Sequence, residues 1–173
     1  MKKLLLAISI LLVQKSFSQT DTSFWFAAPD ISSDYGYDRP IAFRVSSFQL
    51  STVVTVSQPA NPSFVPLTIT LAPFSTQTFD LTSQINNIEC SPGNVIQNQG
   101  LKITSTNKIA AYYEANVNGP NPELFALKGR NALGTNFYIS SQNVLDNATE
   151  YSPAALSSFN IIASQDNTSI TIT

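Results

Sequence analysis

The carboxyl groups best suited to acid–base chemistry in this chain are those of Glu89, Glu114, Glu123 and Glu150. A glycoside hydrolase needs two carboxyl groups flanking the scissile sugar bond, one acting as an acid and the other as a base or nucleophile. The sequence does not indicate that any two of these glutamates meet. A polysaccharide-acting enzyme with paired carboxylates is therefore kept as the alternative hypothesis.

Several other catalytic classes are excluded by composition. The chain has no histidine, and Cys90 is its single cysteine. A histidine metal site, a Ser-His-Asp triad, a Cys-His dyad and an internal disulfide therefore cannot form within one chain. For Cys90, the sequence favours a small residue beside a turn and leaves open a reactive thiol or an intermolecular disulfide.

An acidic loop carries Asp30, Asp34 and Asp38 at four-residue spacing. Clustered carboxylates can hold calcium through oxygen ligands. The spacing differs from that of the known calcium loop, and aspartate is common in turns. We therefore predict a solvated loop, and no metal or cofactor.

The stretch Glu123–Gln142 contains two glycines, Gly129 and Gly134, with the spacing of a phosphate-binding loop. Thr135 stands where that loop requires lysine, so nucleotide binding is not predicted. Apolar runs flank the glycines, which predicts a strand, a glycine-bent loop and a second strand. The fold-signature residues are Trp25, Gly129, Leu133, Gly134 and Phe137, and burial is expected for Leu124, Leu127, Leu133 and Phe137.

Alternating apolar and polar residues predict about ten short strands and no amphipathic helix. This pattern indicates an all-β fold, an antiparallel β-sandwich or barrel-like domain. The irregular connection Thr82–Gly100 is a candidate binding loop. The clearest predicted strands are Pro40–Phe48, Thr52–Ser57, Phe64–Leu71, Phe74–Leu81, Gly100–Thr106, Lys108–Glu114, Phe159–Ala163 and Thr168–Thr173, with turns at Asn107 and at 165–167 and a hairpin or corner at 72–73.

Aromatic residues open the predicted domain at Phe24, Trp25 and Phe26. We expect them to be buried and to hold the amino-terminal strand against the core. An exposed stacking platform for sugars is the alternative.

The first 18 residues have the pattern of a secretory signal peptide. Lys2 and Lys3 precede the apolar run Leu4–Val13, and Ser16–Ser18 provides a small-x-small cleavage site. Cleavage removes 18 of the 173 residues and three of the nine basic ones, which leaves one β-domain over 19–173 with a net charge of −5. This charge argues against nucleic acid and anionic membranes as partners. The expected location is outside the cell or on its surface, with no membrane insertion after cleavage.

Four segments together resemble the N-terminal domain of the IgGFc-binding protein family: Asp21–Ala27, Gly100–Tyr113, Leu124–Ile139 and Phe159–Thr173. Ala132–Tyr138 and Asp166–Ile172 are the most specific parts. The resemblance implies the N-terminal piece of a longer secreted protein, such as the gliding-motility-associated, type IX sorted surface proteins of Bacteroidetes. A chain that stops within an alternating strand, at Thr173, agrees with that expectation. The family name itself transfers no activity and no site residues.

These observations favour a non-enzymatic extracellular or cell-surface domain, adhesin-like, that contacts a protein or a glycan through its loops. A structural spacer between surface modules is a further alternative. The sequence does not identify the ligand or the oligomeric state.

Overall fold

Antiparallel strand pairing dominates the computed structural model, which describes residues 19–31, 39–116, 122–140 and 158–173. Seven strands in these ranges form one sheet that nearly closes into a barrel. The all-β, barrel-like prediction is confirmed, with seven described strands against about ten expected. The strands are β1 (Thr20–Phe26), β2 (Ile41–Ser47), β3 (Thr52–Ser57), β4 (Leu67–Leu71), β5 (Thr76–Asp80), β6 (Leu101–Ala115) and β7 (Glu123–Ala126). The predicted signal peptide lies outside the described residues.

The long strand β6 is the centre of the sheet. Its first half pairs with β3, its second half pairs with β2 and β7, and β1 pairs with residues of both halves. β4 is added outside β3, and β5 is added outside β2, which gives the order β4-β3-β6-β2-β5. One strand therefore contacts four others through its two hydrogen-bonding edges.

The predicted turn at Asn107 is wrong, because β6 runs through it without interruption. The side-chain amide of Asn107 donates to the carbonyl oxygen of Ser51 at 2.9 Å, which ties this part of β6 to the segment before β3. The irregularity appears instead in the pairing with β1, where Asp21 lies opposite Ile109 but Ser23 lies opposite Thr104. Extra residues in β6 are accommodated there as in a bulge.

The strands β2 to β5 lie within the predicted stretches, and β3 matches its prediction residue for residue. The hairpin alternative for the connection at 72–73 is wrong, because β4 and β5 do not pair and stand at opposite ends of the strand order. Part of the predicted irregular connection after β5 is helical. A 3-10 turn at Thr82–Gln84 continues into α1 (Ile85–Ile88), whose two isoleucines are buried.

The core is built from the inward side chains of alternate strand residues, as the period-two pattern requires. Ile41, Phe43 and Val45 of β2 lie on one face of the strand and are completely buried. An aromatic cluster extends this core. Phe26 lies 4.6 Å from the ring of Tyr113 and 5.8 Å from the ring of Phe43, in geometries that favour aromatic pairs.

The carboxyl-terminal predictions fail in part. Residues 133–140 contain no strand, although the preceding strand and loop are present as β7 and a 3-10 turn at Gly129–Ala132. Leu127 is buried as predicted, whereas Leu124, Leu133 and Phe137 are 63%, 48% and 63% exposed. The turn at 165–167 is present, since the hydroxyl of Thr168 donates to the carbonyl of Gln165. The strands predicted on either side of this turn are absent from residues 158–173.

Candidate functional site

Glu114 and Glu123 lie on opposite faces of the sheet. Glu114 lies on the face of the sheet opposite the aromatic core, where it accepts two hydrogen bonds from Arg44, at 2.5 and 3.0 Å. Glu123 lies opposite Ala115 and so projects from the other face, since cross-strand neighbours share a side of the sheet. Glu150 lies outside the described residues. Glu114 and Glu123 therefore do not form with each other the carboxylate dyad that the enzymatic alternative needs.

Glu89, Cys90 and Tyr113 form a polar group at the margin of the core. Burial, together with the charges of Asp30 and Glu89, raises the pKa of the Cys90 thiol. Burial also raises the pKa of Tyr113, and the charge of Glu89 adds to that effect. Both groups are therefore neutral at pH 7. A thiol that stays protonated is a poor nucleophile, so the structure favours a structural role for Cys90.

Only the first aspartate of the predicted acidic loop lies within the described residues. Asp30 is exposed, whereas Asp34 and Asp38 lie outside the described residues. Within the described ranges, no three cysteine or acidic side chains are placed to hold a metal ion. No helix among these residues is long and apolar enough to span a bilayer.

A salt-bridged clamp holds Gly129, one of the predicted signature residues, against β1. Gly129 adopts a left-handed backbone with φ of 56° and packs directly against Asp21 of β1. The Asp21 carboxylate accepts hydrogen bonds from the backbone N–H of Arg130 at 2.8 Å and from its guanidinium at 3.0–3.1 Å. Burial alone raises the pKa of Asp21, but the Arg130 and Thr22 hydrogen bonds and the Arg130 charge lower it to about 2. The clamp fixes the turn after β7 onto β1, and the sequence did not indicate the partner of Arg130.

The other predicted signature residues differ in their burial. Trp25 is half-buried on β1, and the ammonium group of Lys102 lies 4.9 Å from its ring centre, a cation–π geometry. Leu133, Gly134 and Phe137 are exposed. Gly134 does not adopt a left-handed backbone, and a Cβ there would lie 3.3 Å from the ring of Phe137. Of the two predicted bend positions, a positive φ is therefore found at Gly129.

The connection between α1 and β6 builds an open cavity of about 550 Å³. Three consecutive amide side chains, Gln97, Asn98 and Gln99, line it together with Ser91, Ala60 and Ile96. The lining carries no charged residue. The cavity lies within the connection that the sequence marks as a candidate binding loop, although the sequence did not single out these amides. The run of three consecutive amide residues is the feature of the sequence that could have indicated them.

The two ends of this loop are held by hydrogen bonds from the buried side chain of Gln58. Its side-chain amide donates to the backbone carbonyls of Asn87 at 2.6 Å and Gln99 at 3.1 Å, and its Oε1 accepts from Asn61 at 2.8 Å. Gln58 therefore joins the end of α1, the end of the loop and the turn after β3. A loop held at both ends presents its side chains from a rigid scaffold, as binding loops commonly do.

A comparison with known proteins gives no match to this chain among family models, curated proteins or solved structures.

Proposed function

We propose that this chain is a non-enzymatic domain of an exported or cell-surface protein, and that it contacts a glycan or a glycoprotein through the loop between α1 and β6. The observation that carries the proposal is the cavity lined by Ser91, Gln97, Asn98 and Gln99. Ligand sites are concave and contain a few convergent polar groups on a stable framework. Amides and hydroxyls both donate and accept hydrogen bonds, which suits a ligand rich in hydroxyl groups.

The separation of Glu114 from Glu123 supports a binding role over hydrolysis. Glu114 is held by Arg44 in a two-bond ion pair, and Glu123 lies on the opposite face. An acid and a base for glycoside hydrolysis must flank one bond. Turnover on a polysaccharide panel, lost in Glu114→Gln or Glu123→Gln, would show that the chain is an enzyme instead.

The test of the binding proposal uses immobilised mucin-type glycoproteins and extracellular polysaccharides, with the same glycoproteins after enzymatic deglycosylation as controls. We expect the purified protein to bind at least one of these surfaces in biolayer interferometry, and we expect deglycosylation to reduce the signal. Absence of binding to every surface would overturn the proposal.

A second candidate function is contact with a protein surface, and a separate observation supports it. An apolar, exposed set of side chains stands on the carboxyl-terminal segments, which have no strand partner among the described residues. We call the exposed face of these segments the apolar surface, and its apolar members are Leu133, Phe137, Ile139, Phe159, Ile161, Ile170 and Ile172. Exposed apolar patches commonly mark protein interaction sites.

The deglycosylated controls also separate this candidate from the first. Binding that persists after deglycosylation and falls in Phe137→Ser and Ile172→Ser would assign the contact to the apolar surface. A matched control is Val65→Ser, since Val65 is 78% exposed and lies outside that surface.

A further inference from the structure

The cavity between α1 and β6 contains two amides whose hydrogen bonding is incomplete. The side-chain N–H groups of Gln97 and Gln99 donate to the backbone carbonyls of Pro92 and Asn86. The Oε1 atom of each is shielded from solvent and accepts no hydrogen bond from any residue the structure describes. The hydrogen bonds donated by the side-chain N–H groups therefore orient both amides, and the Oε1 acceptors remain without a donor.

A shielded acceptor without a donor is unfavourable, since it has lost its hydration and gained nothing in return. The last side-chain bond of glutamine has a broad torsional preference, so turning the amide to expose the oxygen costs mainly its N–H hydrogen bond, which is long for Gln99, at 3.4 Å. The cavity therefore has two acceptors that a hydrogen-bond donor entering it can satisfy. Carboxylates are not such donors, whereas hydroxyl groups are.

The remaining lining adds an apolar contact. Ile96 is fully exposed beside these amides, at 103% of its reference area, which is unusual for a large aliphatic side chain. A ligand that covers Ile96 while its hydroxyls reach Gln97 and Gln99 removes apolar surface from water and satisfies polar atoms together. A sugar ring has both kinds of surface.

We infer that the cavity binds one neutral sugar residue, whose hydroxyl groups donate to the Oε1 atoms of Gln97 and Gln99 while its ring covers Ile96. The volume of about 550 Å³ lies within the usual range of small-ligand sites. This inference rests on the proposed binding function and specifies its ligand. It also sets a selectivity, because an acidic sugar would place a carboxylate near carbonyl acceptors where no cationic side chain lines the cavity.

Matched sugar pairs test the selectivity. Galactose is compared with galacturonic acid, and glucose with glucuronic acid, by NMR titration of the purified protein. We expect a neutral sugar to shift the Ile96 methyl and the Gln97 and Gln99 side-chain amide signals, and each uronic acid to bind at least about tenfold more weakly, the ratio that one lost or unfavourable hydrogen bond gives.

Three variants test the residues. Ile96→Ala should weaken neutral-sugar binding several-fold and should leave the fold intact, because Ile96 is fully exposed. Gln97→Ala and Gln99→Ala should each weaken it by about tenfold. Gln77→Ala is the control, since Gln77 is an exposed glutamine on β5 outside the cavity, and circular dichroism confirms folding of all four variants.

The outcomes separate this inference from the proposed function. Equal affinity for neutral and acidic sugars, or unchanged binding in both glutamine variants, would overturn the inference while glycoprotein binding still stood. A protein that binds immobilised glycoproteins but shows no sugar-induced shift at Ile96 would also overturn it. Failure of all glycan and glycoprotein binding would overturn both.

Discussion

Replacing Gly129 with alanine should destabilise the protein by about 3 kcal/mol. A left-handed backbone costs a non-glycine residue roughly 1–2 kcal/mol, and the φ of Gly129 is 56°. The new Cβ would also lie against the Cβ of Asp21 and 2.8 Å from its Oδ2. Moving Asp21 away weakens its hydrogen bond with the backbone N–H of Arg130, and a bond to a buried carboxylate contributes about 1.5 kcal/mol.

The assay is urea unfolding followed by the fluorescence of Trp25, the single tryptophan, which lies on the same strand as Asp21. With a slope of about 2 kcal/mol per molar, a loss of about 3 kcal/mol lowers the midpoint by about 1.5 M. Gly93→Ala is the matched control, because a methyl group added at Gly93 would have no neighbouring atom within 4 Å and the backbone there is not left-handed. A Gly129→Ala midpoint equal to that of Gly93→Ala would refute the assigned role of the clamp.

Three further predictions concern ionisable groups. Since the folded-state pKa of Asp21 is about 2 against an ordinary value of 3.8, its stabilisation is complete above about pH 4 and is lost toward pH 2. Wild type should therefore lose about 2 kcal/mol more than Asp21→Asn between pH 5 and pH 2 in urea unfolding, and equal losses would contradict this. Tyr113→Phe should leave stability unchanged or raise it by about 1 kcal/mol, because the buried hydroxyl has no hydrogen-bond partner among the described residues; a fall in the thermal midpoint would count against that account. Glu114→Gln should cost at most about 1 kcal/mol, because the Arg44 side chain is 44% exposed; calorimetry showing a loss above about 2 kcal/mol would disprove the estimate.

The prediction was most accurate for strands that have a neighbouring strand on each side. In β2 and β3, alternation and β-branched residues coincide with neighbours on both sides, so pattern and structure agree. The same reasoning failed at Asn107, where a residue common in turns was given more weight than the unbroken alternation. Ile103, Ile109 and Ala111 all stand at odd positions and are all buried, which is the signature of one continuous strand.

The opposite error occurred at Phe137 and Ile139. Their alternation is typical of a strand, but a strand also requires a neighbour to accept its backbone hydrogen bonds, and periodicity does not report whether one is present. The described part of the chain provides none for residues 133–140.

The candidate site was only partly predictable. Loop chemistry marked the connection Thr82–Gly100, but the cavity depends on how Gln58 holds the two ends of that connection from a different part of the chain. Likewise, the sequence indicated that Gly129 matters, whereas its reason, close packing against Asp21 more than a hundred residues earlier, depends on tertiary contact. Long-range pairs of this kind leave no local pattern.

The central position of β6 also governs the order of folding. Four strands, β1, β2, β3 and β7, pair with it, and it begins at Leu101. If the chain emerges amino terminus first, the strand pairs among the described residues that can form before Leu101 appears are β3–β4 and β2–β5. Distant pairings of this type slow folding and prolong the exposure of apolar faces. The strand that organises the finished sheet therefore also sets the earliest moment at which that sheet can exist.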